Sequence, residues 1–117
     1  MSRYKGQLAE QSACDFLSQQ GLSLVQRNYL CRVGEIDLVM LDGQTLVFVE
    51  VRARSHDRYG DGAMSVIASK QRKLLKACSH YLVSHGKYDK IPCRIDVVSL
   101  DNQGNIEWIK NAIIREY

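Results

Sequence analysis

Glu35, Asp37, Glu50 and Arg52 fall within one short stretch of the chain, GEIDLVMLDGQTLVFVEVR, at 34–52. Asp42-Gly43 is a strong hairpin signal, and the arms on either side of it are apolar. Three carboxylates and a guanidinium on such arms need compensation. Unpaired buried charge costs several kcal/mol or gives up its ionisation. Carboxylates gathered this closely suit a hard divalent cation, Mg²⁺ or Mn²⁺, which prefers oxygen ligands, keeps several waters and takes only a few carboxylates.

Side chains alternate along a strand, so Glu35, Asp37, Val39 and Leu41 share one face of the first arm. Leu46, Phe48, Glu50 and Arg52 share a face of the second. A two-residue loop, Asp42-Gly43, sets Asp37 opposite Phe48 with Glu50 as its diagonal neighbour. A four-residue loop, 42–45, sets Asp37 directly opposite Glu50. Both gaps let two carboxylates reach one cation, since opposed and diagonal Cβ atoms lie roughly 4.5–8 Å apart. A three-residue loop would scatter the charges. An even loop is therefore expected.

Helices add to this set. Gly6, Glu10, Ala13 and Leu17 recur at helical spacing, which puts Glu10 at the edge of a buried face as an auxiliary ligand or water-orienting acid. Gln71 precedes Leu74 and Leu75 by one turn and should point toward the sheet, where it would orient a carboxylate or a phosphate oxygen. The plainer alternative for the strand acids is ordinary ion pairing with Arg32, Arg52 or Arg54. For several acids on one face the spacing favours a site. Asp96 shares a face with Arg94, and a strand-edge ion pair accounts for it.

The elements that must position these groups follow from periodicity. A helix is expected over roughly 3–20, its apolar face formed by Leu8, Ala9, Ala13, Phe16 and Leu17 and its end marked by Gly21. Strands follow at 22–30, 35–41 and 45–53. A second helix, 67–85, carries Leu74, Leu75, Cys78, Tyr81 and Leu82 on one stripe and stops at Gly86. Strand 93–100 and a short last strand, IEWI, complete the order. The fold class is α/β: a mixed central sheet of about five strands with a helix on each face. The first three strands form an antiparallel meander, and the crossover through the second helix is parallel and right-handed.

With 117 residues, 45% hydrophobic and 25% charged, the chain fits one globular domain over 1–117. No signal-like opening and no apolar run near the ~20 residues of a membrane span is present, so a cytoplasmic protein without membrane contact is expected. Cys14, Cys31, Cys78 and Cys93 form no C-x-x-C pair, which argues against zinc and disulfides. Cys78 and Cys93 read as buried small hydrophobes.

The net charge of +3 is modest, but its distribution is not even. Arg52, Arg54 and Arg58 fall in or before the polar loop after the hairpin. Lys70, Arg72, Lys73 and Lys76 crowd the first half of the second helix, the end where the helix dipole disfavours cations. A solvated face does not explain that placement. A phosphate backbone passing the loop and the helix start does.

The ordered set GQLAEQSACDFL, GEIDLV, LVFVEVR, SKQRKLLKA and CRIDVV resembles the YraN family, a bacterial group catalogued as uncharacterised protein family 0102. The resemblance covers almost the whole chain. It implies a restriction-endonuclease-like fold of the PD-(D/E)XK superfamily, similar to archaeal Holliday-junction resolvases. By that resemblance Asp37 matches the first motif acid and Glu50 the acid of the E-x-K element. Arg52 stands at the last position of that element and Glu10 at the helix acid of resolvase-like members. Two departures stand out. No proline precedes the first acid, and Arg52 replaces the usual lysine. Arginine stays protonated, so Arg52 can hold a phosphate but cannot act as a general base. The implied activity is metal-dependent hydrolysis of phosphodiesters in structured or branched DNA. The alternatives are a catalytically silent nucleic-acid-binding module and a protein-interaction subunit. A homodimer is the arrangement the resolvases imply.

Overall fold

The computed structural model describes residues 3–54 and 68–112 of the chain. The elements are α1 (Arg3–Gln19), β1 (Ser23–Cys31), β2 (Gly34–Asp42), β3 (Thr45–Arg54), α2 (Ala68–Ser84), β4 (Cys93–Asp101) and β5 (Ile106–Ile109). Their order and type are those the sequence predicts. The five strands form one sheet in the order β1-β2-β3-β4-β5, parallel only between β3 and β4. Among the described residues no helix is long and apolar enough to cross a membrane.

Each face of the sheet carries one helix. On one side Leu74, Ala77, Cys78, Tyr81 and Leu82 of α2 pack on Ile36, Val39, Leu46, Phe48, Ile95 and Val97. These helical positions recur at i, i+3, i+4, i+7 and i+8, the stripe of a helix lying on a sheet. The Phe48 and Tyr81 rings meet edge to face at 5.6 Å between centroids. On the other side Ala13, Cys14 and Leu17 of α1 pack on Leu38, Met40, Val47, Val49 and Val98. Burying each large apolar side chain contributes about 1.5–3 kcal/mol before the entropy of ordering it. Leu8, expected on the buried face of α1, is 53% exposed instead. Cys14 takes the inward position, one turn before Leu17. Cys93, expected to be buried, is exposed because it opens β4 at the rim of the sheet.

Both helices end where a glycine stops them. Leu22 N–H donates to the Leu17 carbonyl and Gly21 N–H to Ser18, while Lys87 and Gly86 do the same to Leu82 and Val83. The β2–β3 hairpin turns at Gly43-Gln44, with Asp42 paired to Thr45 and Leu41 to Leu46. The loop is even, but it sits one residue further on than Asp42-Gly43. Gly43, at φ 62°, takes the left-handed position that a tight two-residue hairpin requires. The β1–β2 hairpin end runs close under α2. A Cβ on Gly34 would stand 2.7 Å from the Lys73 carbonyl oxygen, so only glycine lets strand and helix approach this closely.

Candidate functional site

The β2–β3 ladder runs from Asp42–Thr45 to Leu38–Val49 and then ends. Continued by one step, its register would set Asp37 against Glu50. Alternation breaks at this point as well, since Ile36 packs in the α2 layer while Leu38 packs in the α1 layer. On the far side of β2, between the Arg27–Leu38 and Tyr29–Ile36 pairs, Asn28 adopts φ 51°. Asparagine is among the few residues that enter the left-handed region readily. Where β2 leaves β3, the Asp37 side chain replaces the lost backbone partner. Its Oδ2 accepts from Val51 N–H at 2.8 Å.

This parting of strands opens a cavity of about 330 Å³. Glu35, Asp37 and Gly34 of β2, Glu50 and Val51 of β3, Gly6, Ala9 and Glu10 of α1, and Lys70, Lys73 and Leu74 of α2 line it. Asp37 hydrogen-bonds the Glu50 carboxyl group, and burial is the main cause that pushes its pKa up to about 8. The negative charge of Glu50 adds to the rise and that of Glu10 adds less, while the Val51 N–H bond works the other way. At neutral pH Asp37 is therefore largely protonated. Glu50 is 4% exposed, and Lys70 Nζ stands 2.8 Å from its Oε2. Glu10 is anchored by Asn28, whose Nδ2 donates to Glu10 Oε1 at 2.8 Å.

Two carboxyl groups, a third nearby and two ammonium groups at the mouth are groups that could hold a hard cation or a phosphate. Among the described residues no three His, Cys, Asp or Glu side chains stand close enough to form a ready-made metal cluster. The adjoining donor set is the Asp37–Glu50 pair. That suffices for Mg²⁺ or Mn²⁺ chemistry, because Mg²⁺ is commonly held by one or two carboxylates and completes its shell with water. A divalent charge would also favour ionised Asp37 against the burial and the Glu50 charge that hold its proton in place.

The family model described as "Uncharacterised protein family UPF0102" matches residues 9–100 of the chain. A UPF0102 protein of Legionella pneumophila is 50% identical over 96% of both chains. One from Nitrosospira multiformis is 52% identical over 98% of this chain and 97% of its own. A third, from Nitrosomonas europaea, is 50% identical over 92% of each. The chain belongs to the UPF0102 family. The match covers Glu10, Asp37, Glu50, Arg52 and Gln71, so every cavity acid named from the sequence lies inside the region that defines the UPF0102 family.

Within this UPF0102 chain, Asp37, Glu50 and Glu10 line one cavity, as do Lys70 and Lys73. Arg52 lies two residues beyond Glu50 on β3, half-buried, and is not part of the cavity wall. Gln71 is half-buried on α2 and also lies outside the wall. Arg72 and Lys76 are exposed on α2. The Arg54 side chain and the whole of Arg58 lie outside the described residues. Asp96 belongs to a separate buried network. Arg94 Nε donates to its Oδ1 at 3.0 Å, Trp108 Nε1 to its Oδ2 at 3.0 Å and Asn111 N–H to its Oδ1 at 2.8 Å. That pair sits between β3 and β5 and not at a sheet edge, but it is structural, as expected.

Sequence reasoning missed one site residue, Asn28, and the role of another, because it took Lys70 as a phosphate contact and not as the cation on Glu50. The cation on Glu50 comes from α2, not from a strand arginine. Lys70 stands four residues before Leu74 and seven before Ala77, on the inward stripe, and that spacing was the available signal. Asn28, the anchor of Glu10, showed only as a turn-prone residue inside a strand pattern.

Proposed function

We propose that this protein binds nucleic acid and hydrolyses phosphodiesters in structured or branched DNA with Mg²⁺ or Mn²⁺. The observation that carries the reading is the meeting of Asp37 and Glu50, from neighbouring strands, in a cavity whose mouth holds Lys70 and Lys73. Asp37 and Glu50 would hold the cation, and Glu10, released from Asn28, would add a ligand or orient the attacking water. A bound divalent ion supplies Lewis-acid stabilisation and a water of lowered pKa. Lys70 and Lys73 stand where a scissile phosphate would enter, and Arg72 and Lys76 extend the positive surface along α2. Arg52 adds fixed positive charge beside Glu50 and cannot take a proton. The resemblance to resolvase-like nucleases supports the same assignment, and a homodimer would set two such cavities against the two strands of a junction.

The test is incubation of the purified protein with labelled junction, flap, single-stranded and duplex DNA, with Mg²⁺ or Mn²⁺. Metal-dependent cutting is expected, abolished by Asp37→Asn and by Glu50→Gln while DNA binding persists. One observation favours a second reading, a catalytically silent binding module: a lysine already neutralises Glu50. Salt-sensitive DNA binding with no cleavage of any substrate under either metal would select it.

A further inference from the structure

Glu50 has a side chain 6% exposed, and its carboxylate already carries a cation in Lys70, at 2.8 Å. Lys70 itself is 51% exposed along its side chain, so it is only partly enclosed where its ammonium meets Glu50. A lysine stem is flexible and ends in a point charge, which lets the ammonium change partner without moving the helix. Lys70 also sits in the first turn of α2, where the helix dipole disfavours a cation, so its place depends on the carboxylate below it. Lys73, one turn on, lines the same cavity, and its backbone is pinned against Gly34. Helix and strand therefore hold still while the Lys70 side chain can move.

A second cation on Glu50 competes with Lys70 for that carboxylate. Like charges a few ångströms apart repel strongly in a partly desolvated site. We propose that Lys70 is an exchangeable counter-ion. It neutralises Glu50 in the metal-free protein, yields that carboxylate to a divalent cation, and then joins Lys73 as a contact for the nucleic-acid phosphate. This rests on the metal-dependent reading above and adds to it a reason for metal and nucleic acid to bind cooperatively. Without metal the Lys70 charge is spent on Glu50; with metal it is released toward the mouth. Burial of Glu50 without a counter-ion is avoided in both states.

The experiment uses the full chain, its Lys70→Met and Lys70→Arg variants, and Mn²⁺ as probe. Calorimetric titration should show Mn²⁺ binding about tenfold more tightly to Lys70→Met, which has no ammonium to displace, and no more tightly to Lys70→Arg than to the parent. Binding of duplex DNA should be nearly equal in parent and Lys70→Met without metal, and several-fold weaker in the variant when Ca²⁺ is present. A measurement on the parent alone guards against misfolding of the variant. Acylation of Lys70 by acetic anhydride, read by mass spectrometry, should accelerate when Mn²⁺ is added. Equal Mn²⁺ affinities with an unchanged acylation rate would overturn the exchange while leaving the metal site standing. A parent that binds no Mn²⁺ would remove both the exchange and the reading beneath it.

Discussion

Asp37 is the residue whose ionisation couples site and stability. Its carboxyl group sits near a pKa of about 8, chiefly because burial and the neighbouring Glu50 charge disfavour ionisation, against 3.8 when unperturbed. Between those values the folded protein holds a proton that the unfolded chain has lost. Stability contributed by the protonated form is thus complete below about pH 4, falls as pH rises through 8, and is flat above. Metal-free protein should melt at lower temperature at pH 9 than at pH 5, by an amount on the order of a few kcal/mol from this group. Asp37→Asn should remove that slope and be the more stable form at pH 9; denaturant midpoints across the pH range decide it. Metal binding at pH 6–7 should also release about one proton, because the cation needs the carboxylate that is protonated there. Calorimetry in two buffers of different ionisation enthalpy measures that release directly, and the same binding enthalpy in both buffers would refute it.

At the level of elements, the site depends on how closely the β1–β2 hairpin approaches α2. Gly34→Ala would place a methyl group 2.7 Å from the Lys73 carbonyl oxygen, a helix backbone atom that cannot turn aside as a side chain can. The expected cost is roughly 1–3 kcal/mol in thermal or denaturant unfolding. Lys70 and Lys73 should move with the helix start. Element order was legible from the sequence because each periodic run has one dominant signal: the α2 stripe from Leu74 to Leu82, the apolar arms of the hairpin, and the glycines after both helices. The joint placement of Asp37 and Glu50 was legible through the even hairpin loop, although strand parity itself breaks between Ile36 and Leu38. Of the two even loops expected, 42–45 has the observed register and Asp42-Gly43 falls one residue early; Asp42 fits both a turn position and a terminal ladder pair, and cross-strand pairing with Thr45 chose the second. What escaped depended on contacts distant in sequence. A half-exposed lysine in the first turn of α2 reads as a phosphate contact, and nothing local in the sequence shows that Glu50 lies beneath it. Asn28 has no local mark that ties it to Glu10, a partner on another element.

At the scale of the whole molecule, a net charge of only +3 conceals a directed field. Lys70, Arg72, Lys73 and Lys76 gather on one helix half, two of them in the cavity wall, while Glu50 in that wall is buried and Asp37 half-buried. A polyanion should therefore be drawn to this side and not to the protein at large. Reversing charge at Arg72, Lys73 and Lys76 tests that field, with Lys73 the one of the three that also lines the cavity. All three side chains are exposed and lie off the buried stripe, so each should change stability by only about 0.5 kcal/mol. Parent affinity for duplex DNA should fall steeply with salt, and the variant should bind more weakly with a shallower dependence. The loss of three phosphate contacts would reduce the log–log slope by up to about 3. Fluorescence anisotropy at several salt concentrations measures both quantities, with Asp37→Asn as a reference that keeps the surface charge. An unchanged affinity and slope would make the α2 cations an ordinary solvated face, and the phosphate path would have to lie elsewhere.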